Sequence, residues 1–290
     1  MRPADPRPPL RLARRVGELD PTEPWSDYDR IGLAMRERID VSLPDGWVWT
    51  DRRALDFGCG VGRVLRHYAD EAERAELWGC DIHAPSIAWM KRALSPPFHV
   101  FLVDESPRLP QTDGFFDLLW AVSVFTHLAE TWSGWLRELH RVLADGGTLM
   151  VSILGPGMWD AIAEGPWDED RTGMCVLRAG QPWAAGGPTV FHSEWWLRAH
   201  WGRVFEIITF DPGRQPGSHG WVVLRKVPGA VSDEELERAS DDPREVEALR
   251  HNIELLNTED RWLRPRYLRL TASSQRKAAR WWIRRLRARI

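Results

Sequence analysis

The sequence predicts an α/β fold with a mostly parallel sheet, and three observations support this prediction. A glycine-rich turn at residues 58–62 joins an apolar, strand-like run to a periodic apolar segment. Apolar runs and amphipathic segments then alternate as far as residue 154. Acidic residues follow the second and third of these runs, at the strand ends where open parallel sheets bind ligands. We therefore expect a ligand site along one edge of the sheet.

The composition is that of a soluble globular protein. The 290 residues are 43% hydrophobic and 28% charged, and the net charge of −3 does not favour a dedicated nucleic-acid binder. The cysteines and histidines show no zinc-type spacing, so we predict neither a metal site nor a disulfide. No apolar run has the length of a membrane span and the N-terminus lacks a signal-like core, so we expect a cytoplasmic protein.

The N-terminal part of the chain divides into two segments. Residues 1–23 are rich in proline and arginine and lack apolar periodicity, so we predict a mobile N-terminal tail. Residues 24–43 have the spacing of a helix with one apolar face. This helix is expected either to flank the sheet or to cover the ligand site, and both alternatives stay open.

The glycine-rich turn is the first candidate ligand cradle. It contains Gly58, Cys59, Gly60 and Gly62 after Asp56, with a spacing one residue shorter than the dinucleotide-binding fingerprint. Glycine adopts positive φ readily, so the backbone can approach a bound molecule closely. We expect a helix to begin directly after the turn and to point its N-terminal N–H groups at the ligand.

The ends of the following strands carry further candidates. The second strand ends at Asp81 and Ile82, where a carboxylate can accept both hydroxyls of a ribose. The fourth strand, residues 116–122, brings Ala121 to the same edge of the sheet. Its Asp117 lies near the opposite end, so we expect that side chain to be structural.

Four segments together resemble the class I S-adenosylmethionine-dependent methyltransferases. They are residues 56–62, 79–82, 116–128 and 139–149, in the order in which that family carries its motifs. The resemblance implies a Rossmann-like sheet of seven strands with a final antiparallel hairpin, in a domain that we place at residues 24–230. It also implies S-adenosyl-L-methionine as the cofactor and S-adenosyl-L-homocysteine as the product.

The resemblance assigns roles to the candidates above. The glycine turn, Asp81, Ile82 and Ala121 are expected to bind the cofactor. An acid after the third strand holds the adenine amino group in the family; Asp104 and Glu105 both stand there, and we expect Asp104 to act. Residues 155–190 form a long insertion rich in glycine, proline and tryptophan, for which we predict a lid over the pocket.

Two histidines are candidates for a catalytic base. His127 follows the fourth strand, and His192 precedes a predicted helix capped by Ser193. Histidine titrates near neutral pH, and a hydroxyl acceptor gains from a general base whereas an amine needs only to arrive unprotonated. A capping or packing role is the alternative for His127.

Residues 231–290 are predicted to form a charged helical extension. Residues 232–260 contain eleven acids and three arginines, whereas residues 261–290 contain eleven basic residues and no acid. The two segments are expected to pair within the chain, between the copies of a homodimer, or with another partner. The basic segment also has the character of one that contacts an anionic membrane or binds nucleic acid. A solvated helical appendage is the interpretation that we favour.

The sequence thus predicts a methyltransferase that acts on the oxygen or nitrogen of a small molecule. The segments 124–128 and 191–194 resemble relatives from bacterial glycan and secondary-metabolite pathways, which favours a sugar-containing or natural-product acceptor. A nucleic-acid methyltransferase that uses the basic segment is the enzymatic alternative. A non-catalytic cofactor-binding scaffold is the alternative from another class.

Overall fold

A mixed sheet of seven strands forms the centre of the structure. The computed structural model describes residues 6–16, 19–163, 165–182 and 186–258. Its strands are β1 (Arg53–Phe57), β2 (Glu76–Asp81), β3 (His99–Leu102), β4 (Phe116–Ala121), β5 (Leu143–Ile153), β6 (Met174–Leu177), β7 (Thr189–His192), β8 (Phe205–Asp211) and β9 (Gly220–Lys226). The order across the large sheet is β3-β2-β1-β4-β5-β9-β8.

This strand order confirms the expected Rossmann-like sheet. The neighbours among β1 to β5 pair in parallel, whereas β9 runs antiparallel to both β5 and β8. The carboxyl ends of the parallel strands therefore meet at one edge. Asp117 lies at the other edge, where it accepts hydrogen bonds from the Arg52 side chain and the Arg53 backbone, as a structural residue should.

Helices cover both faces of the sheet. They are α1 (Leu10–Ala13), α2 (Pro24–Asp40), α3 (Ala84–Ala93), α4 (Trp132–Val142), α5 (Pro156–Ile162), α6 (Glu194–His200), α7 (Asp233–Glu237) and α8 (residues 244–258). The apolar side of α4, with Trp135, Leu136 and Leu139, is buried in the largest core cluster. Ser193 stands at the N-cap of α6 as predicted, although its side chain makes no capping hydrogen bond there.

The helix expected directly after the glycine turn is replaced by a short turn, and that prediction is wrong. Gly60 and Gly62 have φ of +56° and +72°, which lie outside the helical region and delay any regular helix. Only two short 3₁₀ turns, Leu65–Tyr68 and Glu71–Glu73, follow before β2. No helix N-terminus therefore points from this segment to the ligand.

The N-terminal segment packs against the domain in its described part. Leu12, Ala13 and Leu19 are buried in a core cluster with residues of α2 and β1. The Arg66 guanidinium also donates to the Pro6 carbonyl oxygen at 3.1 Å. Residues 6–16 thus pack on the domain as a short helical segment. This arrangement differs from the mobile tail that we predicted for residues 1–23.

The insertion and the extension together form a small layer beside the main sheet. Strands β6 and β7 pair antiparallel, and Trp159, Cys175 and Phe191 form a buried cluster on which Leu255 of α8 packs. Helix α7 begins with a capping box between Ser232 and Glu235.

Ion pairs and a buried histidine attach the extension to the domain. Arg137 pairs with Asp233 of α7 at 2.5 Å. Buried His200 of α6 contacts both the Leu236 carbonyl oxygen, at 2.8 Å, and Glu245 of α8, at 3.2 Å. The solvated appendage that we favoured is therefore wrong for residues 231–258. The basic segment 261–290 and the predictions that concern it lie outside the described residues.

Among the described residues, no helix has both the length and the hydropathy that spanning a membrane requires.

Candidate active site

A cleft of about 860 Å³ opens at the carboxyl ends of β1, β2 and β4. This volume lies within the range of small-molecule and cofactor sites. One half of the cleft is lined by the glycine turn and the strand ends, and we call it the cofactor half. The opposite half is lined by residues of the insertion and of α8, and we call it the acceptor half.

The glycine turn fits tightly against the loop after β4. Gly58 has φ of +79°, and a Cβ atom at this position would lie 2.3 Å from Cγ2 of Val124. Only glycine satisfies both conditions. Gly60 lines the cleft and donates its backbone N–H to Oδ2 of Asp81 at 2.9 Å.

Asp81 lies where the sequence placed it, at the end of β2 and in the cleft wall beside Ile82. Besides Gly60, its carboxylate accepts the backbone N–H of His83 through Oδ1 at 2.7 Å. A carboxylate offers about four acceptor positions, so these two bonds orient the group and leave capacity for ligand hydroxyls. Asp81 is therefore an oriented carboxylate in the cleft wall.

Asp56 is a buried carboxyl group at the floor of the cleft. Only 2% of the residue is exposed, and Oδ2 makes no hydrogen bond with any described residue. Burial, and after it the charge of Asp81, raises the pKa of this carboxyl to about 7. A buried acceptor without a partner is a position that a donor group of a bound ligand satisfies.

Of three further residues predicted to bind the cofactor, one lines the cleft and two do not. Cys59 lines the cleft with its thiol buried 3.6 Å from Sδ of Met90, and burial raises the pKa of that thiol. Gly62 and Ala121 lie outside the lining, which corrects their assignment. Gly62 adjoins Met90 instead, and Ala121 is fully buried in the core, because side chains alternate along a strand.

At the end of β3, the acid that lines the cleft is Glu105 and not Asp104, which we expected there. Glu105 and Val103 line the cleft. Asp104 is absent from the lining, and its Oδ1 accepts the backbone N–H of Ser106 at 2.8 Å. Asp104 thus stabilises its own loop, and Glu105 is the acid that faces the site.

His127 lies in the cleft wall, on the side of the insertion. Its Nδ1 is 2.8 Å from the carbonyl oxygen of Pro188. A carbonyl oxygen only accepts, so Nδ1 carries the proton and Nε2 carries the lone pair in the neutral ring. Ser123, also in the wall, has φ of +58° and donates its N–H to Oγ of Ser152 at 2.7 Å.

His192 does not reach the cleft, so the structure contradicts its assignment as a second catalytic base. It is 1% exposed and lies against the rings of Trp196 and Trp201. Burial lowers the pKa of this imidazole to about 3. Strand β7 is covered on both sides, since all four of its residues are buried, and the His192 side chain lies in the core instead of the cleft.

Sequence reasoning missed several residues of the cleft. They are Arg15, Arg63, Gln181, Asn252 and Leu256. Arg63 directly follows the glycine turn, which is a signal that could have identified it, and burial lowers the pKa of its guanidinium. The others come from segments that we assigned to a tail, a lid and an appendage, and local sequence carries no sign of their position.

The described residues include no cluster of three or more histidine, cysteine or acidic side chains placed to hold a metal ion.

Comparison with known proteins gives the same picture as the geometry. Residues 55–151 match a family model described as a methyltransferase domain. A phthiotriol/phenolphthiotriol dimycocerosates methyltransferase of Mycobacterium ulcerans is 28% identical over 60% of this chain and 58% of its own length. A demethylmenaquinone methyltransferase of Thermus thermophilus is 33% identical over 42% of this chain and 54% of its own length. The chain therefore spans little more than half of these relatives.

Among solved structures, a putative S-adenosylmethionine-dependent methyltransferase from Listeria monocytogenes aligns with a TM-score of 0.51 and 14% identity. The alignment covers 68% of this chain and 99% of that one, and it shows a shared fold. The family match and the strand order agree with the four motifs. Residues 55–151 are thus similar to a methyltransferase domain, and the strand order is the one expected for the class I S-adenosylmethionine-dependent fold.

Proposed function

We propose that this protein transfers a methyl group from S-adenosylmethionine to a hydroxyl oxygen of a small molecule bound in the acceptor half of the cleft. The orientation of His127 carries the choice of oxygen over nitrogen. Nδ1 is held by the Pro188 carbonyl at 2.8 Å, so Nε2 is the basic nitrogen of a residue in the cleft wall. Hydroxyl groups gain from such a base in methyl transfer, whereas amines do not require one.

The residues of the cofactor half suit S-adenosylmethionine, which supplies an activated methyl group when it is bound. Asp81 would hold the ribose hydroxyls and Glu105 the adenine end. The backbone of Gly58 and Gly60 leaves room for close approach, since a side chain on Gly58 would fill the space beside Val124. The unpartnered Oδ2 of Asp56 would accept a donor from the same ligand.

His127 would take the proton from the acceptor hydroxyl as the methyl group is transferred. The Pro188 carbonyl fixes its tautomer and also stabilises the imidazolium that forms, because Nδ1 remains a donor. The remaining contribution of the chain is to align the acceptor and exclude water, for which the insertion and α8 provide the walls. Closure of the insertion over the bound acceptor remains part of this proposal.

The acceptor half has mixed chemistry, which supports a sugar-containing or natural-product acceptor. Val176 and Leu256 present apolar surface, and Gln181 brings an amide group. Apolar surface suits the body of a small natural product, and amides suit its hydroxyl groups. The relatives named above are methyltransferases of lipid-like and quinone-type compounds by their names, which supports a small acceptor in general.

Calorimetric titration of S-adenosylmethionine and S-adenosylhomocysteine tests the cofactor half of the proposal. Loss of the charged hydrogen bonds of Asp81 should weaken binding roughly 10- to 100-fold in Asp81→Ala. Asp104→Ala is the matched control, because that acid lies outside the cleft lining, and its affinity should equal that of the wild type. Failure of folded wild-type protein to bind either molecule would overturn the proposed function.

Turnover on glycosides, phenols and amines tests the catalytic half. We expect His127→Gln to lower kcat on hydroxyl acceptors by about 10²–10⁴-fold and to leave cofactor affinity unchanged. His99→Gln is the control, since His99 stacks on Trp78 at the far edge of the sheet. Methylation of amines alone, or full activity of His127→Gln, would contradict the choice of a hydroxyl acceptor with this base.

A further inference from the structure

Helix α8 has apolar residues on two faces, and only one face is covered. On its inner face Ala248 is buried and Leu255 packs on the insertion, whereas Asn252 and Leu256 line the cleft. On its outer face Val246, Leu249 and Ile253 are 65%, 55% and 59% exposed. We call these three residues the outer stripe.

The outer stripe has the spacing of an interaction seam. Its members are separated by three and four residues, so they lie on one side of the helix and follow one another along it. Single exposed apolar residues are common on protein surfaces. A contiguous row on one helix face, by contrast, is typical of a surface that another element covers.

The chain itself continues from this helix with a segment of matching pattern. Residues 259–290 follow directly after α8. Within them Ile283, Leu286 and Ile290 repeat the spacing of Val246, Leu249 and Ile253. A row of apolar residues with the same period as its counterpart is what pairing of two helices requires.

The charges of the two segments are also complementary. Residues 232–260 carry eleven acids against three arginines, and residues 261–290 carry eleven basic residues and no acid. Glu247 and Glu254 stand on α8 with partly exposed carboxylates, which share Arg171 as a partner. Basic side chains that flank an apolar row would meet acidic side chains that flank the other.

We propose that the C-terminal segment 261–290 folds back on α8 and covers the outer stripe with Ile283, Leu286 and Ile290. Covalent linkage favours this occupant over a second copy, because residues 259–282 tether the two apolar rows at an effective concentration on the order of millimolar. An anionic membrane is disfavoured as the occupant of the stripe, because the acids of residues 232–260 repel its headgroups. The docked segment braces α8 from outside, and α8 in turn holds Asn252 and Leu256 in the wall of the cleft.

The accessibility of an introduced thiol in the full-length chain tests this contact without any need for turnover. Leu249→Cys places the thiol in the outer stripe, and the native cysteines are all buried. Val41→Cys is the matched control at a position that is 84% exposed. Maleimide labelling of Leu249→Cys should be roughly tenfold slower than that of Val41→Cys, since it awaits release of the segment.

A second variant identifies the covering segment. Adding Ile283→Asp and Leu286→Asp to the Leu249→Cys protein should restore the labelling rate to that of the control. Equal rates for Leu249→Cys and Val41→Cys would overturn the proposal, as would protection that survives the two aspartates. Protection that disappears on dilution would assign the stripe to a second copy. Protection that appears only with phosphatidylglycerol vesicles would assign it to a membrane, and either result overturns docking within one chain.

Discussion

The two halves of the cleft differ in how far apart in the sequence their residues lie. The cofactor half uses residues within a few positions of the ends of β1, β2, β3 and β4, all inside the matched domain at 55–151. The acceptor half brings together Val176, Pro188 and Asn252, which come from the insertion and from a helix beyond the final hairpin. The first half is thus specified by local motifs, and the second half by packing between distant segments.

The two halves also differ in what holds them. Backbone hydrogen bonds fix the cofactor half, as where Gly58 and Cys59 both donate to the Cys80 carbonyl oxygen at 2.9 Å. Within the acceptor half, α8 is attached through side chains, such as the contact of Arg171 with Glu247 at 3.3 Å between two half-exposed groups. Exposed ion pairs contribute about 0–1 kcal/mol. We therefore expect the acceptor half to open at lower free energy than the cofactor half.

The largest expected effect lies in the cofactor half and concerns Asp56. The pKa of its carboxyl rises from an ordinary value of 3.8 to about 7 because the group is buried. The folded state therefore holds the proton more tightly, and this stabilisation is complete below the unfolded pKa and is lost as pH rises through the folded pKa. Asp56→Asn removes the titration and should stabilise the unliganded protein by about 4 kcal/mol at pH 8.

Urea unfolding at pH 5 and pH 8 measures this effect. The advantage of Asp56→Asn over the wild type should grow by roughly 2–3 kcal/mol between the two pH values. Asp104→Asn, an exposed carboxyl at the same edge of the sheet, is the control and should leave the pH dependence of the wild type in place. An advantage that is equal at both pH values would show that Asp56 does not carry the buried charge.

A smaller effect is expected at the glycine turn. Gly58→Ala combines a φ of +79° with a contact of 2.3 Å to Val124 and should destabilise the fold by about 2–4 kcal/mol. Gly46→Ala is the matched control, because Gly46 has φ of +72° and no atom within 4 Å of an added Cβ. That change should cost only the backbone strain, about 1 kcal/mol. Thermal unfolding compares the two, and equal losses would mean that the close approach of Val124 has no energetic weight.

The same contrast explains what the sequence could and could not predict. The strand order and the place of Asp81 follow from apolar periodicity and from residue types at strand ends, which short segments of sequence record. Gly62 and Ala121 were misassigned because membership of a motif does not say which side of the turn or strand faces the cleft. His192 failed for a related reason, since its orientation depends on the pairing of β6 with β7. Asn252 and Leu256 required the docking of α8, which no local pattern records.

The smallest expected effect concerns the attachment of α8 to the acceptor half. The Asn252 amide accepts the Val176 N–H at 3.2 Å and donates to the Val176 carbonyl oxygen at 2.8 Å, so it occupies the edge of β6 as a neighbouring strand would. Asn252→Ala should lower the free energy of global unfolding by only about 1 kcal/mol. Hydrogen exchange of the backbone amides in β6 and α8 should nevertheless become faster. Cofactor affinity should stay unchanged because the cofactor half does not contact this amide. Asn257→Ala, at an exposed position of the same helix, controls for loss of an asparagine. Faster exchange at the glycine turn in Asn252→Ala would show that the two halves open together. It would contradict our expectation that the acceptor half opens separately.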